Sequence, residues 1–203
     1  MGLFATRGFA ATGIRDIAEA AGLSSASLYE YMTSKDDLLV EVMHDSIEPL
    51  VVAGTRIRRA VSGADAQLAA LTECHVWFHI QYPHETLVTD TEVRALSGAR
   101  RTEIVALRDR YERVWQSIVD AGARARIFDV VERRVAVRSI VMMSTGVAAW
   151  YRPGGSMSVE RLCAAYADLA LATVRASRAG RAVRRADLAL DDPISFVSEG
   201  RTA

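Results

Sequence analysis

Apolar residues recur along this chain at three- and four-residue steps almost from end to end, and no long alternation interrupts them. The pattern predicts an all-α protein. From Lys35 a stripe takes in Leu38, Leu39, Val42, Met43, Ile47, Leu50 and Val51, and it fades near residues 62 to 65. A second helix is predicted over residues 66 to 81, ended by Tyr82-Pro83 because the residue before a proline avoids the helical region. A shorter helix reaches Leu96 and stops at Ser97-Gly98. Another runs from Arg100 to Ala121, with Gly122 as its C-terminal cap. Asp129 is expected to cap a helix reaching Trp150, which the Arg152-Pro153-Gly154-Gly155 run breaks. Ser158 should cap a last helix through Ala176. Beyond Arg178 the chain turns polar and carries a late proline, so partial disorder is expected there. No internal repeat is visible.

The stretch TGIRDIAEAAGLSSASLYEYMTSKDDLL, residues 12 to 39, is the most informative. Thr12 or Gly13 can cap a short helix whose inward side is Ile14, Ile17, Ala18 and Ala21. Gly22 permits the left-handed turn that ends it, and Leu23 is expected to plug the corner. Ser24 caps a second helix with Leu28 and Met32 facing inward, and Ser34 a third, with Asp37 completing a short-armed capping box. Two short helices about a glycine turn, the second opening on small hydroxyl side chains, describe a helix-turn-helix. In that motif the first turn of the second helix enters the major groove, and Ser25, Ala26 and Ser27 occupy it. Tyr29 and Tyr31 reach phosphates through their hydroxyls, as does Lys35 beside the next helix start. Helix-glycine-helix corners also occur in all-α proteins that bind no DNA, and serines there are often only caps.

Charge changes this picture in one way. The formal net charge is zero over 203 residues, yet among residues 1 to 50 three basic side chains stand against eight acidic ones, a balance of minus five. That works against non-specific affinity, which comes largely from Lys and Arg on phosphates. Half of the residues are apolar, enough for a sizeable core in one compact unit or two small ones. The two cysteines, Cys74 and Cys163, lie inside helical patterns and fit a reducing compartment. No charged-then-apolar leader opens the chain and no apolar run suits a bilayer, so a soluble cytoplasmic protein without membrane contact is expected.

The segment GFAATGIRDIAEAAGLSSASLYEYMTSKDDLL resembles the N-terminal signature of the TetR family of transcriptional regulators, over residues 3 to 40. The likeness includes Phe4, Gly8-Phe9, Arg15 to Ala18, Ala21-Gly22, Leu28-Tyr29, Tyr31 and Lys35. It implies a dimeric, all-helical regulator: a three-helix head over residues 1 to 45, a ligand-binding and dimerisation body over 46 to 178, and a polar tail over 179 to 203. By position it places Arg15, Ser25, Ala26 and Ser27 near base edges, with Ser24 as their cap. Thr12, Tyr29, Tyr31 and Lys35 fall near phosphates of a double-stranded operator. Two departures matter. Family members often carry a hydroxyl where Gly13 stands, and they begin the first helix about two turns earlier, so that helix is expected to be truncated here.

The segment AAWYRPGGSMSVERLCAAYADLAL, residues 148 to 171, is similar to TetR-type repressors of fatty-acid and steroid catabolism, several of which respond to acyl-CoA thioesters. The resemblance implies release from the operator by a small apolar effector. It also implies a homodimer through the last two long helices, where Val135, Ile140, Val141, Val147, Leu162, Tyr166 and Leu169 are candidates for buried positions. Within ECHVWFHIQY, His75 and His79 stand four apart beside Cys74, a spacing used for zinc. No second pair of ligands follows, so no metal is expected. Phe78, His79, Tyr82, Trp115 and Met142 are the candidate pocket lining, since ligand sites combine aromatic walls with a few polar groups. Arg100, Arg101, Arg108 and Arg110 are candidates for the phosphates of a thioester carrier. No phosphate-cradling glycine loop, nucleophile elbow or paired carboxylates appear, so neither an enzyme nor a cofactor is expected. A helical adaptor that binds protein alone is the competing class.

Overall fold

The computed structural model describes residues 2 to 198. Its helices are α1 (Gly2–Arg7), α2 (Ile14–Ala20), α3 (Ser25–Leu28), α4 (Lys35–Ala60), α5 (Ala64–Gln81), α6 (Pro83–Thr91), α7 (Gly98–Arg124), α8 (Arg133–Thr145), α9 (Val147–Trp150), α10 (Val159–Thr173) and α11 (Ser195–Ser198). Two-residue strands β1 (Ser177–Arg178) and β2 (Arg181–Ala182) pair antiparallel. Two compact units result: Met1–Glu48 with Tyr82–Arg108, and Pro49–Gln81 with Asp109–Ala203. Among the described residues no helix is long and apolar enough to cross a membrane.

The first unit forms around short apolar faces held by caps. Phe4 and Phe9 meet with their ring centroids 5.3 Å apart and tilted, and are both buried, joining α1 to the turn after it. At α2 the cap is Gly13, whose N–H donates to the Asp16 carboxylate at 2.7 Å. A carboxylate there also suits the positive end of the helix. Gly22 adopts φ +69°, and the Leu23 N–H returns to the Ala18 carbonyl at 2.9 Å, closing α2 as a left-handed cap should. Leu23 itself is 37 % exposed and does not plug the corner. Ala18, Leu28 and Met32 make the local core, with Ile14, Ile17 and Leu38 against them, while Ala21 faces solvent. Helix α3 is a single turn, since Glu30 and Tyr31 bond back to the carbonyls three residues earlier and tighten the segment.

The second unit is built around α5, buried along nearly its whole length. Such a helix has no polar face, so its neighbours must enclose it. Helix α10 is the principal one, and Val76, Val147, Leu162, Cys163 and Tyr166 form a cluster beside it. Gly54 of α4 lets Val114 and Leu71 close in, since a Cβ there would stand 2.7 Å from Val114 Cγ1.

Two expected helix ends move for visible reasons. Gly122 lies inside α7 rather than capping it: its bare Cα leaves room for the Phe128 ring, 2.1 Å from where a Cβ would be. The left-handed position falls to Arg126, φ +56°. Asp129 does not cap α8, because its N–H donates to the Val174 carbonyl at 3.0 Å and its carboxylate pairs with Arg175 at 3.2 Å. The helix starts at Arg133 and breaks at Gly146, leaving α9 as a separate turn. Ser158 caps α10, accepting the Arg161 N–H.

The tail departs most from expectation. Residues 177 to 198 pack against α5 and α10, burying Val183, Leu188 and Val197. Arg178 grips the fully buried Asp65 with two hydrogen bonds of 2.6 and 2.7 Å. Arg185 pairs with Glu73, itself 5 % exposed, and also donates to the Leu190 carbonyl. The Cys74 thiol donates to the Pro193 carbonyl at 2.8 Å. Polar composition alone suggested disorder, but these charges have buried carboxylates as partners. Residues 199 to 203 of the predicted tail lie outside the described residues. Removing one partner of a buried pair leaves the other uncompensated. Arg185→Ala is therefore expected to cost about 3 kcal/mol or more in urea denaturation, against under about 1 kcal/mol for the exposed Arg133→Ala.

Candidate nucleic-acid interface and ligand site

The head presents a recognition turn whose geometry is set by its own serines. Ser24 Oγ accepts the Ser27 N–H at 3.0 Å and shares a 2.9 Å hydrogen bond with Ser27 Oγ. Buried Leu28 anchors the turn from below, leaving Ser25 and Ser27 half-buried and Ala26 exposed. Arg15, Tyr29 and Tyr31 stand in solvent, the tyrosines at 54 and 75 % exposure. The structure thus brings Arg15, Ser24, Ser25, Ala26, Ser27, Tyr29 and Tyr31 onto accessible parts of the head.

Two predicted phosphate contacts are spent inside instead. Thr12 is 1 % exposed, and its hydroxyl donates to the Gly8 carbonyl at 2.8 Å. The Lys35 ammonium donates to the carbonyls of Phe9 at 2.9 Å and Thr12 at 3.0 Å. The sequence places Lys35 at a helix start, where a cation next to phosphate is a natural reading. The carbonyls that capture it come from residues more than twenty positions earlier, so no local pattern announces them.

In the body, α5 and α7 bring together a buried aromatic cluster, a cage of packed rings. His75 lies at its centre, its ring 4.0 Å from His79, 5.8 Å from Tyr111 and 5.7 Å from Trp115 between centroids. His75 Nδ1 shares a hydrogen bond of 3.0 Å with the Tyr111 hydroxyl, and Nε2 one of 3.0 Å with the Thr145 hydroxyl. His79 Nδ1 donates to the His75 carbonyl at 2.8 Å. Phe78, His79 and Trp115 of the predicted lining are buried here, with Phe78 beside His79. Ser144 Oγ, on α8, is buried with no partner within hydrogen-bond distance.

Met142 does not join them. It is 74 % exposed, because its face of α8 turns away from the core that Val137, Ile140 and Ser144 enter. Tyr82 is half-buried and belongs to the first unit. Tyr111 and Thr145 were missed: the step from Tyr111 to Trp115 on α7 marks a shared face, but nothing in sequence ties it to His75. Among the described residues no group of His, Cys, Asp and Glu is arranged to hold a metal ion. Of the arginines that are candidate donors to phosphate, Arg100 is held by Asp37 and Arg108 by Asp90.

Burial, reinforced by His79, holds His75 well below the ordinary histidine value of 6.5, so the ring stays neutral. Burial pushes the Tyr111 hydroxyl well up and Cys163 up to about 12, and it raises Cys74 further. His75 and the Tyr111 hydroxyl are therefore uncharged, and the thiols beside them are unreactive. Unfolded His75 takes up a proton near pH 6.5 while folded His75 does not, so its contribution is full above that pH and is lost as pH falls towards the folded value. Urea denaturation between pH 7 and 5 should lose up to about 1.4 kcal/mol per pH unit from this group. His75→Gln should flatten that slope, and an unchanged slope would count against a neutral His75.

Comparison with known proteins agrees with this architecture. Residues 1–42 match the family described as bacterial regulatory proteins, tetR family, and residues 61–174 the tetracyclin repressor-like C-terminal domain. The HTH-type transcriptional repressor KstR2 of Rhodococcus jostii is 28 % identical over 173 residues, covering 83 % of this chain and 84 % of its own. The crystal structure of PfmR from Thermus thermophilus, a TetR family transcriptional regulator, is 31 % identical with a TM-score of 0.76, covering 84 % of this chain and 93 % of that one. AibR, in complex with isovaleryl coenzyme A and operator DNA, shares the fold at 19 % identity and a TM-score of 0.75, over 83 % of this chain and 91 % of that one. The two matched domains follow one another along the sequence, and the chain belongs to the TetR family of transcriptional regulators.

Proposed function

We propose that this protein is a cytoplasmic repressor that binds a near-palindromic operator as a homodimer and leaves it when a small apolar effector, such as an acyl-CoA, occupies its body. The observation that carries the reading is the recognition turn, a single accessible helical turn of small side chains between Ser24 and Leu28. Small hydroxyls there admit close approach to base edges, with Arg15 beside them and Tyr29 and Tyr31 reaching the backbone.

The dimer is supported by what the protomer leaves uncovered. Val135 and Met142 lie seven residues apart on α8 and are 60 and 74 % exposed, and Leu169 on α10 is 53 % exposed. Ile140, Val147, Leu162 and Tyr166 are instead buried within the protomer's own core. Covering that stripe with a second copy removes apolar surface from water at about 25 cal/mol per Å². A two-fold axis then sets the recognition turns about 34 to 36 Å apart, one turn of DNA.

The effector class is supported by the buried aromatic cluster around neutral His75. Elsewhere on α8 the buried Ser144 hydroxyl has no partner, and a ligand carbonyl or water would satisfy it. A buried, aromatic-lined site favours the acyl end of such a molecule over its anionic end. AibR, of the same fold, was crystallised with isovaleryl coenzyme A and operator DNA. Each tenfold loss of operator affinity requires about 1.4 kcal/mol of preference for the non-operator state.

A gel-shift on fragments selected from a random DNA pool, titrated with long-chain acyl-CoAs, steroid-derived acyl-CoAs and the free acids, tests the whole reading. Release and a raised melting temperature are expected with at least one ligand, and Ser27→Ala should change which bases are selected. Neither release nor thermal stabilisation by any ligand would remove this effector class. A protein that shifts no fragment would be a helical adaptor instead, and a monomer at micromolar concentration in sedimentation would overturn the dimer.

A further inference from the structure

Residues 2 to 48 contain three basic side chains, Arg7, Arg15 and Lys35. Each is a natural candidate for DNA contact, because the rest of the segment is acidic and phosphate contact is where cations contribute most. Their placement is otherwise. Arg7 faces Asp16 at 3.7 Å. Lys35 is half-buried, donates to the carbonyls of Phe9 and Thr12, and holds its ammonium 4.3 Å from the centre of the Phe9 ring. Among the described residues Arg15 alone of the three has no such internal partner.

Arg100, at the start of α7 and within the same unit, makes a matching contact. Its guanidinium donates to Asp37 Oδ1 at 2.6 to 2.7 Å and to Ser34 Oγ at 3.4 Å. Ser34 and Asp37 are the capping pair of α4: the Ser34 hydroxyl donates to Asp37 Oδ2 at 2.7 Å, and the Asp37 N–H donates back to Ser34 Oγ at 3.1 Å. Both cations therefore act on one short stretch, Ser34 to Asp37. That stretch directly follows the recognition segment, and Leu38, one residue on, packs under Ala18, Leu28 and Met32. Lys35 ties it backward to the turn preceding α2, and Arg100 ties it to α7.

We infer that Lys35 and Arg100 are positioning residues, which fix the first turn of α4 as the floor beneath Ser25, Ala26 and Ser27, and are not ligands of DNA phosphates. The inference rests on the operator reading above. It separates two quantities that a phosphate contact would move together. A lost phosphate contact weakens binding and flattens the dependence of log K on log salt by about 0.9, or about 1.8 for a symmetric dimer. A lost positioning contact weakens binding and leaves the slope alone.

The experiment measures operator Kd between about 50 and about 300 mM salt for the full chain and for Lys35→Ala, Arg100→Gln and Arg15→Ala. Lys35→Ala should raise Kd about tenfold at every sequence tested with an unchanged slope, as befits two hydrogen bonds from a charged group. Arg100→Gln, whose pair is partly exposed, should raise it up to about fivefold, again with the slope unchanged. Arg15→Ala should flatten the slope. If Lys35→Ala loses its helical signal and does not fold, Arg100→Gln decides the matter. A slope flattened by Lys35→Ala or Arg100→Gln, or an unchanged Kd in both, would overturn the inference while leaving operator binding intact. Failure of the unmodified protein to bind any fragment at the lowest salt would overturn both.

Discussion

Helix α5 is enclosed on every side, and most of what is distinctive in this protein follows from that. A helix with no face to solvent cannot leave a polar side chain to water, yet α5 carries Asp65, Glu73, His75 and His79, all buried. Each must be satisfied internally or cost free energy on the order of a lost hydrogen bond or more. The outer carboxylates draw in Arg178 and Arg185 from the tail, and the inner imidazole draws in hydroxyls from α7 and α8. The tail is thus ordered by the same constraint that forms the cage. Burial raises the Glu73 carboxyl, and its pair with Arg185 opposes that rise.

The head obeys a smaller version of the same rule. With few residues to bury, it relies on caps and on cations turned inward, so its charge is used for shape as much as for attraction. Ser34, Asp37, Lys35 and Arg100 meet at one helix start. The Ser34 hydroxyl, and after it Arg100, hold the Asp37 carboxyl below its ordinary value, which keeps it an acceptor across the physiological range. Under the proposed function, the small side chains of the recognition turn would meet DNA from a backbone set in this way.

The periodicity of apolar residues was enough for the helical class, the position of the recognition turn and the ends made by Tyr82-Pro83, Gly22 and Ser158. These are short-range matters: a proline excludes the conformation before it, a glycine permits a left-handed one, and a serine caps the helix it precedes. Phe78 and His79 are buried because α5 has no polar face to offer them, and Trp115 because it lies on the inward face of α7. Contacts between distant segments decided the rest. Gly122 reads as a cap until Phe128 folds back over it, and Asp129 reads as one until Val174 and Arg175 claim it. Met142 reads as lining until the rotation of α8 puts it outside, while Lys35 and Thr12 read as phosphate contacts until carbonyls near the start of the chain capture them. Sequence carries what a residue does to its neighbours along the chain. Which buried charge meets which partner depends on distances across the fold, and those are settled only when the helices pack.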